Sequence, residues 1–191
     1  MEMEEKGEHV ALFPLGRFGS EERMAKKVFE SQQFREWTAS EHVLHLFLDS
    51  LDIEWTHPED VTHLLSLIGD LRELAGPAYL LANGGFGMLP RLAELVDGVL
   101  FESFSSRWTD GSCTLWPQDV LDAHADMAET LLGYDLNLYA LDYATDPALA
   151  SVVERRARHF GMTCFVSDHA LSRLPSVRTA VDQREQNRTP R

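Results

Sequence analysis

The sequence has few cysteines and far fewer basic than acidic residues. Its 191 residues include only Cys113 and Cys164, which are too far apart for a zinc or redox motif. Cys164 lies in the apolar run TCFV and is expected to be a small buried residue. The 17 lysines and arginines are outnumbered by 31 acidic residues, giving a net charge of −14. Such a surface repels phosphate backbones, so we exclude nucleic acid as a partner.

Targeting and membrane signals are also missing. The first ten residues, MEMEEKGEHV, contain neither a basic region nor an apolar region of a signal peptide. As written, the chain is therefore predicted to be cytoplasmic, whereas a start further upstream would allow secretion. No apolar stretch approaches the roughly 20 residues that span a bilayer, so no membrane association is predicted.

Motifs for cofactors, metals and serine nucleophiles are absent as well. The glycines at 84, 85 and 87 do not follow the GxGxxG spacing, and no P-loop lysine accompanies them. The eight histidines form no HxH or HExxH pattern, so neither a metal nor a cofactor is predicted. Ser50 and Ser103 each follow a carboxylate, but neither lies in a GxSxG motif.

Short apolar runs alternate with longer amphipathic stretches along the chain. The runs predict strands at 9–15, 43–49, 78–83, 97–102, 137–143 and 163–168. The stretches between them predict helices at 20–36, 59–75, 87–95, 117–133 and 147–160. This alternation predicts an α/β fold with right-handed crossovers and a parallel sheet. Either a doubly wound open sheet or part of a (β/α)8 barrel would fit, as one domain over 1–180 with a polar tail at 181–191.

Two of the predicted strands end abruptly in a carboxylate, Asp49 in VLHLFLD and Glu102 in DGVLFE. The C-terminal ends of parallel strands are where α/β barrels keep their catalytic groups. Cleavage of a glycosidic bond needs one carboxyl group to protonate the leaving oxygen and another to attack or to activate water. We therefore predict that Asp49 and Glu102 form a catalytic pair. The structural alternatives are a helix cap or salt bridge at Asp49 and an ion pair of Glu102 with Arg107.

The other strand ends are also polar and are predicted to bind substrate. Asn83 ends the strand between the two carboxylates, and Asp142, Tyr143 and Asp168 follow later strands. Asp52 lies on the loop after Asp49. Aromatic rings on nearby loops can stack on sugar faces, and Trp108 is one such candidate. The further aromatic candidates on these loops are Trp55, Phe104 and Trp116.

Several ordered segments resemble glycoside hydrolase family 114 and related predicted barrel-type polysaccharide hydrolases. They are LFLDSLD at 46–52, LLANGGFGMLPRLAELVDGVLFESFSSRW at 80–108, LDYATDP at 141–147 and FVSDHAL at 165–171. The resemblance implies a (β/α)8 TIM barrel and an endo-acting hydrolase of galactosamine-containing polysaccharides. It also implies that Asp49 is the nucleophile and Glu102 the general acid/base.

Mapped onto that family, the six strands correspond to about the third through the eighth of a barrel. The fold is thus expected to be incomplete at its N-terminus, with about six βα units, since such barrels usually need ~250 residues. Open sheet edges would favour self-association to cover the missing strands. The functional alternative to a glycosidase is a carbohydrate-binding or degenerate barrel without hydrolytic activity.

Overall fold

The structure, a computed structural model, describes the backbone of residues 9–14 and residues 44–172. The strands within this part are, in chain order, β1 His9–Pro14, β2 Leu44–Asp49, β3 Leu80–Asn83, β4 Gly98–Glu102, β5 Ser106–Thr109, β6 Ser112–Leu115, β7 Asn137–Tyr143 and β8 Thr163–Ser167. Six of them form a parallel sheet, which confirms the six strands predicted from the apolar runs. The segments of the chain outside the described ranges include the predicted helix 20–36 and the tail 181–191.

The strands of the parallel sheet follow one another in strict chain order, β1-β2-β3-β4-β7-β8. A doubly wound sheet would reverse its order at a switch point, where the chain changes direction across the sheet. No reversal occurs among the described strands, so the doubly wound alternative is wrong. Right-handed crossovers in one direction place the connecting helices on one face of the sheet.

Three α-helices lie in the described ranges: α1 Val61–Ala75, α2 Gln118–Leu131 and α3 Pro147–His159. They confirm three of the predicted helices. Helix α1 stops at Gly76, whose φ of +56° a residue with a side chain adopts only at a cost. Helix α3 begins as the sequence indicated, because Asp146 accepts a hydrogen bond from the Leu149 amide at 3.0 Å, one turn into the helix.

The helix predicted at 87–95 is wrong. The chain instead forms two short 3-10 turns, Phe86–Met88 and Arg91–Glu94. Between them, Leu89 is extended because a following proline disfavours the helical region, and Pro90 has no amide hydrogen to donate.

The antiparallel hairpin of β5 and β6 was not predicted. Asp110 and Gly111 at its turn have φ values of +50° and +81°. Positive φ at both central residues is typical of a tight hairpin turn, and Asp-Gly is a favoured sequence for it. The hairpin follows β4 directly and carries Arg107 and Trp108 next to the end of the sheet.

The core lies between the sheet and the helices. On β2, Leu46 and Leu48 are buried, and on β3 Leu80 and Ala82 are buried. They pack in one cluster with apolar residues of α1, including Ile68. Side chains alternate between the two faces of a strand, so the residues between these point to the opposite face. Asp49 and Asn83 belong to that opposite set.

Candidate active site

Strand alternation and register place four polar side chains on the same face of the sheet. Asn83 pairs with Leu100 across β3 and β4, and Glu102 is two residues beyond Leu100. Glu102 in turn pairs with Leu141 across β4 and β7, and Tyr143 is two residues beyond Leu141. A step of two residues returns to the same face. Asp49, Asn83, Glu102 and Tyr143 therefore lie in a row at the C-terminal edge of neighbouring strands β2, β3, β4 and β7.

A single side chain, Asn83, bridges the two predicted catalytic carboxylates. Its Nδ2 donates to Asp49 Oδ1 at 2.9 Å and to Glu102 Oε2 at 3.0 Å. An amide nitrogen carries two hydrogens, so it can serve both acceptors at once. The two acceptor oxygens cannot be further apart than these two distances combined, 5.9 Å.

The remaining oxygens of the pair differ in their surroundings. Glu102 Oε1 accepts a hydrogen bond from the Tyr143 hydroxyl at 2.5 Å. Burial, and then the neighbouring Glu102, raise the pKa of the Tyr143 hydroxyl, so it keeps its proton and acts as the donor. Asp49 Oδ1 also accepts from the Ser50 amide at 2.9 Å, whereas Oδ2 has no hydrogen-bond partner within the described part of the chain.

The residue after each carboxylate has a left-handed backbone. The φ values are +62° at Ser50 and +57° at Ser103. Such conformations are costly for residues with a side chain, and they persist where surrounding contacts hold them. At Ser103 the contacts are visible: its amide donates to Leu141 O at 2.7 Å, and its carbonyl accepts from Trp116 Nε1 at 2.7 Å. Both strands thus turn sharply just beyond the carboxylates.

The loop after β2 holds the glycine-rich loop after β3. Asp52 Oδ1 accepts from the Gly85 amide at 2.7 Å, and Glu54 Oε1 accepts from the Gly87 amide at 3.0 Å. Gly84 and Gly85 both have φ of +76°. Asp52, predicted from the sequence to bind substrate, lines the same cleft as Asp49 and fixes the loop that begins at Asn83. Its substrate-binding role stays a prediction.

Replacing Gly84 by alanine is expected to destabilise the protein and to lower its activity. A Cβ at Gly84 would lie 2.3 Å from Asp52 Oδ2, and φ would remain at +76°. The clash must displace either the loop that carries Asn83 or the Asp52 carboxylate, which would then lose its hydrogen bond to the Gly85 amide. Gly111→Ala is the matched control, because its φ is +81° but nothing lies within 4 Å of the added Cβ.

Urea denaturation measures the free energy of unfolding of both glycine variants. Backbone strain alone costs about 1–3 kcal/mol, and we expect the Gly84→Ala loss to exceed that of Gly111→Ala. Equal losses would show that the contact with Asp52 contributes nothing.

The structure does not bring Asp142 to the surface of this site. Its side chain is fully buried, on the face of β7 opposite to Tyr143. Asp142 Oδ1 accepts from the amides of Ser105 and Ser106, both at 2.7 Å, and from the Ser106 hydroxyl at 3.0 Å. Burial raises the pKa of the Asp142 carboxyl, and these donors oppose that shift. The sequence interpretation of Asp142 as a substrate-binding residue overlooked the alternation of the strand.

Trp108, Tyr143 and a residue absent from the sequence prediction meet at the far end of the row. The Trp108 ring stacks on His169 with centroids 4.3 Å apart, and the Tyr143 ring lies 5.7 Å from His169. Trp108 keeps 45% of its surface exposed. Asp168, next to His169, accepts hydrogen bonds from the Ser172 amide at 2.8 Å and from the Ser172 hydroxyl. Its carboxylate therefore closes a local turn, and its predicted contact with substrate stays a prediction.

The carboxylates open into a cleft of about 560 Å³. One wall is polar and consists of the site residues, and the other is formed by α2 and two phenylalanines. The lining residues are Asp49, Ser50, Asp52, Trp55, Asn83, Gly84, Phe86, Phe101, Glu102, Ala123, His124 and Met127. The sequence alone does not predict this second wall, because no local pattern shows that α2 packs beside the end of β4.

His124, on α2, is held by a hydrogen bond from its Nδ1 to Phe104 O at 2.9 Å. His124 is the donor, since a carbonyl can only accept.

Among the described residues, neither carboxylate forms the helix cap or the ion pair that would be its structural alternative. Arg107 lies over the Trp116 ring, 5.1 Å from its centroid, and forms no ion pair with Glu102 in the described ranges. Asp49 caps its own turn through Ser50, but it contacts Asn83 as well. A separate group, the exposed His57 and Glu59 and the half-buried Asp60 at the start of α1, has possible ligand atoms within 4.8 Å of one another. Exposed groups of this kind are common without an ion, and the prediction of no metal is untested.

Comparisons with known proteins find similarity in structure but not in sequence family. No family model matches the chain, and none of the curated proteins matches it. Among the solved structures to which it is similar are the glycoside hydrolase domain of PelA from Pseudomonas aeruginosa (26% identity, TM-score 0.64) and a glutamate-to-alanine variant of that domain (25% identity, TM-score 0.63). Each alignment covers 81% of this chain and 62% of the PelA domain, so the chain spans less than two thirds of these neighbours.

The likeness supports the predicted link to glycoside hydrolases. The support comes from structural similarity, since this chain has a mixed α/β architecture with a parallel sheet, whereas the sequence identity is low.

The described part of the chain contains no helix long and apolar enough to cross a membrane.

Proposed function

We propose that this chain is a glycoside hydrolase related to family 114, with a retaining mechanism that uses Asp49 and Glu102. The observation that carries the proposal is the bridge through Asn83, which limits the two bridged oxygens to 5.9 Å. Retaining glycosidases hold their carboxyl groups roughly 5–5.5 Å apart, whereas inverting enzymes separate them by roughly 6.5–9.5 Å to admit a water. The spacing favours direct attack by one carboxylate.

Asp49 is the nucleophile in this mechanism and Glu102 the acid/base. Asp49 Oδ2, which has no partner in the described residues, attacks the anomeric carbon as the bond to the leaving oxygen breaks. Glu102 gives its proton to that oxygen. It then takes a proton from water, whose oxygen attacks the anomeric carbon and releases Asp49. Asn83 keeps one amide hydrogen on each carboxylate throughout.

The proposed substrate is a polysaccharide that contains galactosamine. Three carboxylates line the cleft, Asp49, Asp52 and Glu102, and among the described residues no lysine or arginine lines it. An unpaired negative cleft attracts cationic ligands, and an amino sugar with a free amine carries an ammonium group. Galactosamine itself comes from the family resemblance of the segments around Asp49, Asn83 and Glu102.

The proposed scaffold is the (β/α)8 barrel. Its support is the sequential order of parallel strands and the position of the polar row at their C-terminal ends. Within the described ranges, β1 and β8 are the edges of the sheet. Self-association through these edges remains a prediction, which light scattering of the purified chain would test.

The functional test is release of reducing ends from galactosamine-containing polymers by the purified chain. Hydrolysis of such a polymer, with neutral glucans as a comparison, is the expected result. Absence of cleavage with retained binding would support the alternative, a carbohydrate-binding chain without hydrolytic activity. The exposed aromatic ring of Trp55 favours binding under either function.

Trp55→Ala is expected to weaken polysaccharide binding without changing stability. Trp55 is 82% exposed at the cleft, so its removal uncovers no core. Loss of one stacking ring should raise KM or Kd about 3- to 10-fold, corresponding to 0.5–1.5 kcal/mol. Leu74→Ala is the control, since Leu74 is 52% exposed and lies on α1. An unchanged Kd for Trp55→Ala would remove this residue from the binding surface.

A further inference from the structure

The carboxyl group of Asp142 is buried, close to the site but out of reach of a substrate. Fully buried carboxylates are rare unless hydrogen bonds compensate for the lost hydration. Asp142 Oδ1 has three donors, all from Ser105 and Ser106. Asp142 Oδ2 has none within the described residues. The carboxylate is thus directed at one short segment, the start of β5.

Ser106 continues the chain of contacts to the backbone of Tyr143. Its hydroxyl donates to Asp142 Oδ1 at 3.0 Å and accepts from the Tyr143 amide at 2.8 Å. A hydroxyl has a single hydrogen, and Asp142 takes it, so the Ser106 oxygen is left as an acceptor for Tyr143. The Asp142 carboxylate therefore orients the Ser106 hydroxyl so that its oxygen accepts from the Tyr143 amide.

Tyr143 completes the connection to the acid/base. Its hydroxyl donates to Glu102 Oε1 at 2.5 Å. Strand β7 also holds the backbone just after Glu102, because the Ser103 amide donates to Leu141 O at 2.7 Å. The end of β7 thus holds Glu102 twice: Tyr143 holds its side chain, and Leu141 holds the backbone that follows it.

We propose that Asp142 and Ser106 are positioning residues that hold the Tyr143 hydroxyl against Glu102. This inference rests on the proposed glycosidase function. Neither residue touches substrate, and both act through Tyr143, which orients one oxygen of Glu102 while Asn83 orients the other. Small displacements of a catalytic group are costly, about 100-fold in rate for 1 Å.

Ser106→Ala is the first test, because it removes the link and little volume. In a crystal structure of this variant, we expect the Tyr143 hydroxyl to move beyond hydrogen-bond distance of Glu102 Oε1. In kinetics, kcat should fall about 10- to 100-fold with little change in KM, since the substrate contacts are retained.

Asp142→Asn is the second variant: its amide oxygen can keep the three donors, while the charge that strengthens them is lost. Its kcat should fall less.

Asp135→Asn is the control for Asp142→Asn, since Asp135 is exposed and lies just before β7. A cycle with Tyr143→Phe separates positioning from general weakening of the fold. If Ser106 acts through Tyr143, then Ser106→Ala should lower kcat much less in the Tyr143→Phe background. Equal factors in both backgrounds, or an unmoved Tyr143 hydroxyl in the crystal structure, would overturn the proposal.

Different results would contradict the glycosidase function and the positioning role of Ser106. A wild-type chain that cleaves none of the tested polymers contradicts the proposed function. The crystal structure of Ser106→Ala still decides the positioning role in that case, because the distance between Tyr143 Oη and Glu102 needs no substrate.

Discussion

Asp49→Asn is expected to lower kcat for polysaccharide cleavage by about 10,000-fold or more, as loss of a nucleophile does elsewhere. The substitution is well matched to the site. Asp49 Oδ1 carries both hydrogen bonds, from Ser50 and Asn83, while Oδ2 has no partner in the described ranges. The asparagine nitrogen can therefore occupy the place of Oδ2 without disturbing its neighbours. Only the attacking atom is lost.

A thermal or urea unfolding curve provides the control for Asp49→Asn. Its midpoint should stay within the range of surface substitutions, about 0.5 kcal/mol from wild type. A kcat within tenfold of wild type would contradict the assignment of Asp49 as the nucleophile. A large loss of stability would show instead that Asp49 is needed for the fold.

Glu102→Gln is expected to reduce kcat on the polysaccharide about 100- to 10,000-fold, the usual contribution of a general acid. Here the substitution is less conservative. Both oxygens of Glu102 accept hydrogen bonds, from Asn83 and from Tyr143. A glutamine can keep its oxygen as acceptor for Asn83, but its nitrogen must then donate to the Tyr143 hydroxyl, so that bond is reversed and loses the carboxylate charge. We therefore expect a small loss of stability as well.

The leaving group separates the roles of the two carboxylates. An aryl glycoside with a good leaving group needs no proton to depart, so Glu102→Gln should retain much of the first step on that substrate. Asp49→Asn should be inactive on both substrates, because no bond to the anomeric carbon can form. The reverse pattern would exchange the roles of the two residues.

The sequence predicted the parallel sheet because its buried strands are short, apolar and bounded by turn residues. It also predicted that Asp49, Asn83 and Glu102 would be neighbours, since the ends of consecutive parallel strands share one edge. The Asp110-Gly111 pair is also a favoured sequence for a tight hairpin turn, so the hairpin is encoded locally. By contrast, the helix predicted at 87–95 does not form, because Pro90 favours an extended backbone at Leu89 despite the apolar pattern.

Side-chain direction explains most of what the sequence prediction missed in the site. Asp142 and Tyr143 are adjacent, so they must point to opposite faces of β7, and only Tyr143 reaches Glu102. This parity is readable from the sequence once the strand is assigned. The contributions of His124 and His169 are different, since they depend on how α2 and the loop after β8 pack. No local pattern encodes that packing.

The anomeric configuration of the first product shows whether Asp49 acts as a nucleophile. Proton NMR during hydrolysis of a galactosamine-containing polymer distinguishes the two anomers before they equilibrate in water. We expect the new reducing end to have the configuration of the cleaved linkage, because the bridge through Asn83 keeps the bound oxygens of Asp49 and Glu102 within 5.9 Å, below the spacing of inverting enzymes. A product of inverted configuration would contradict it.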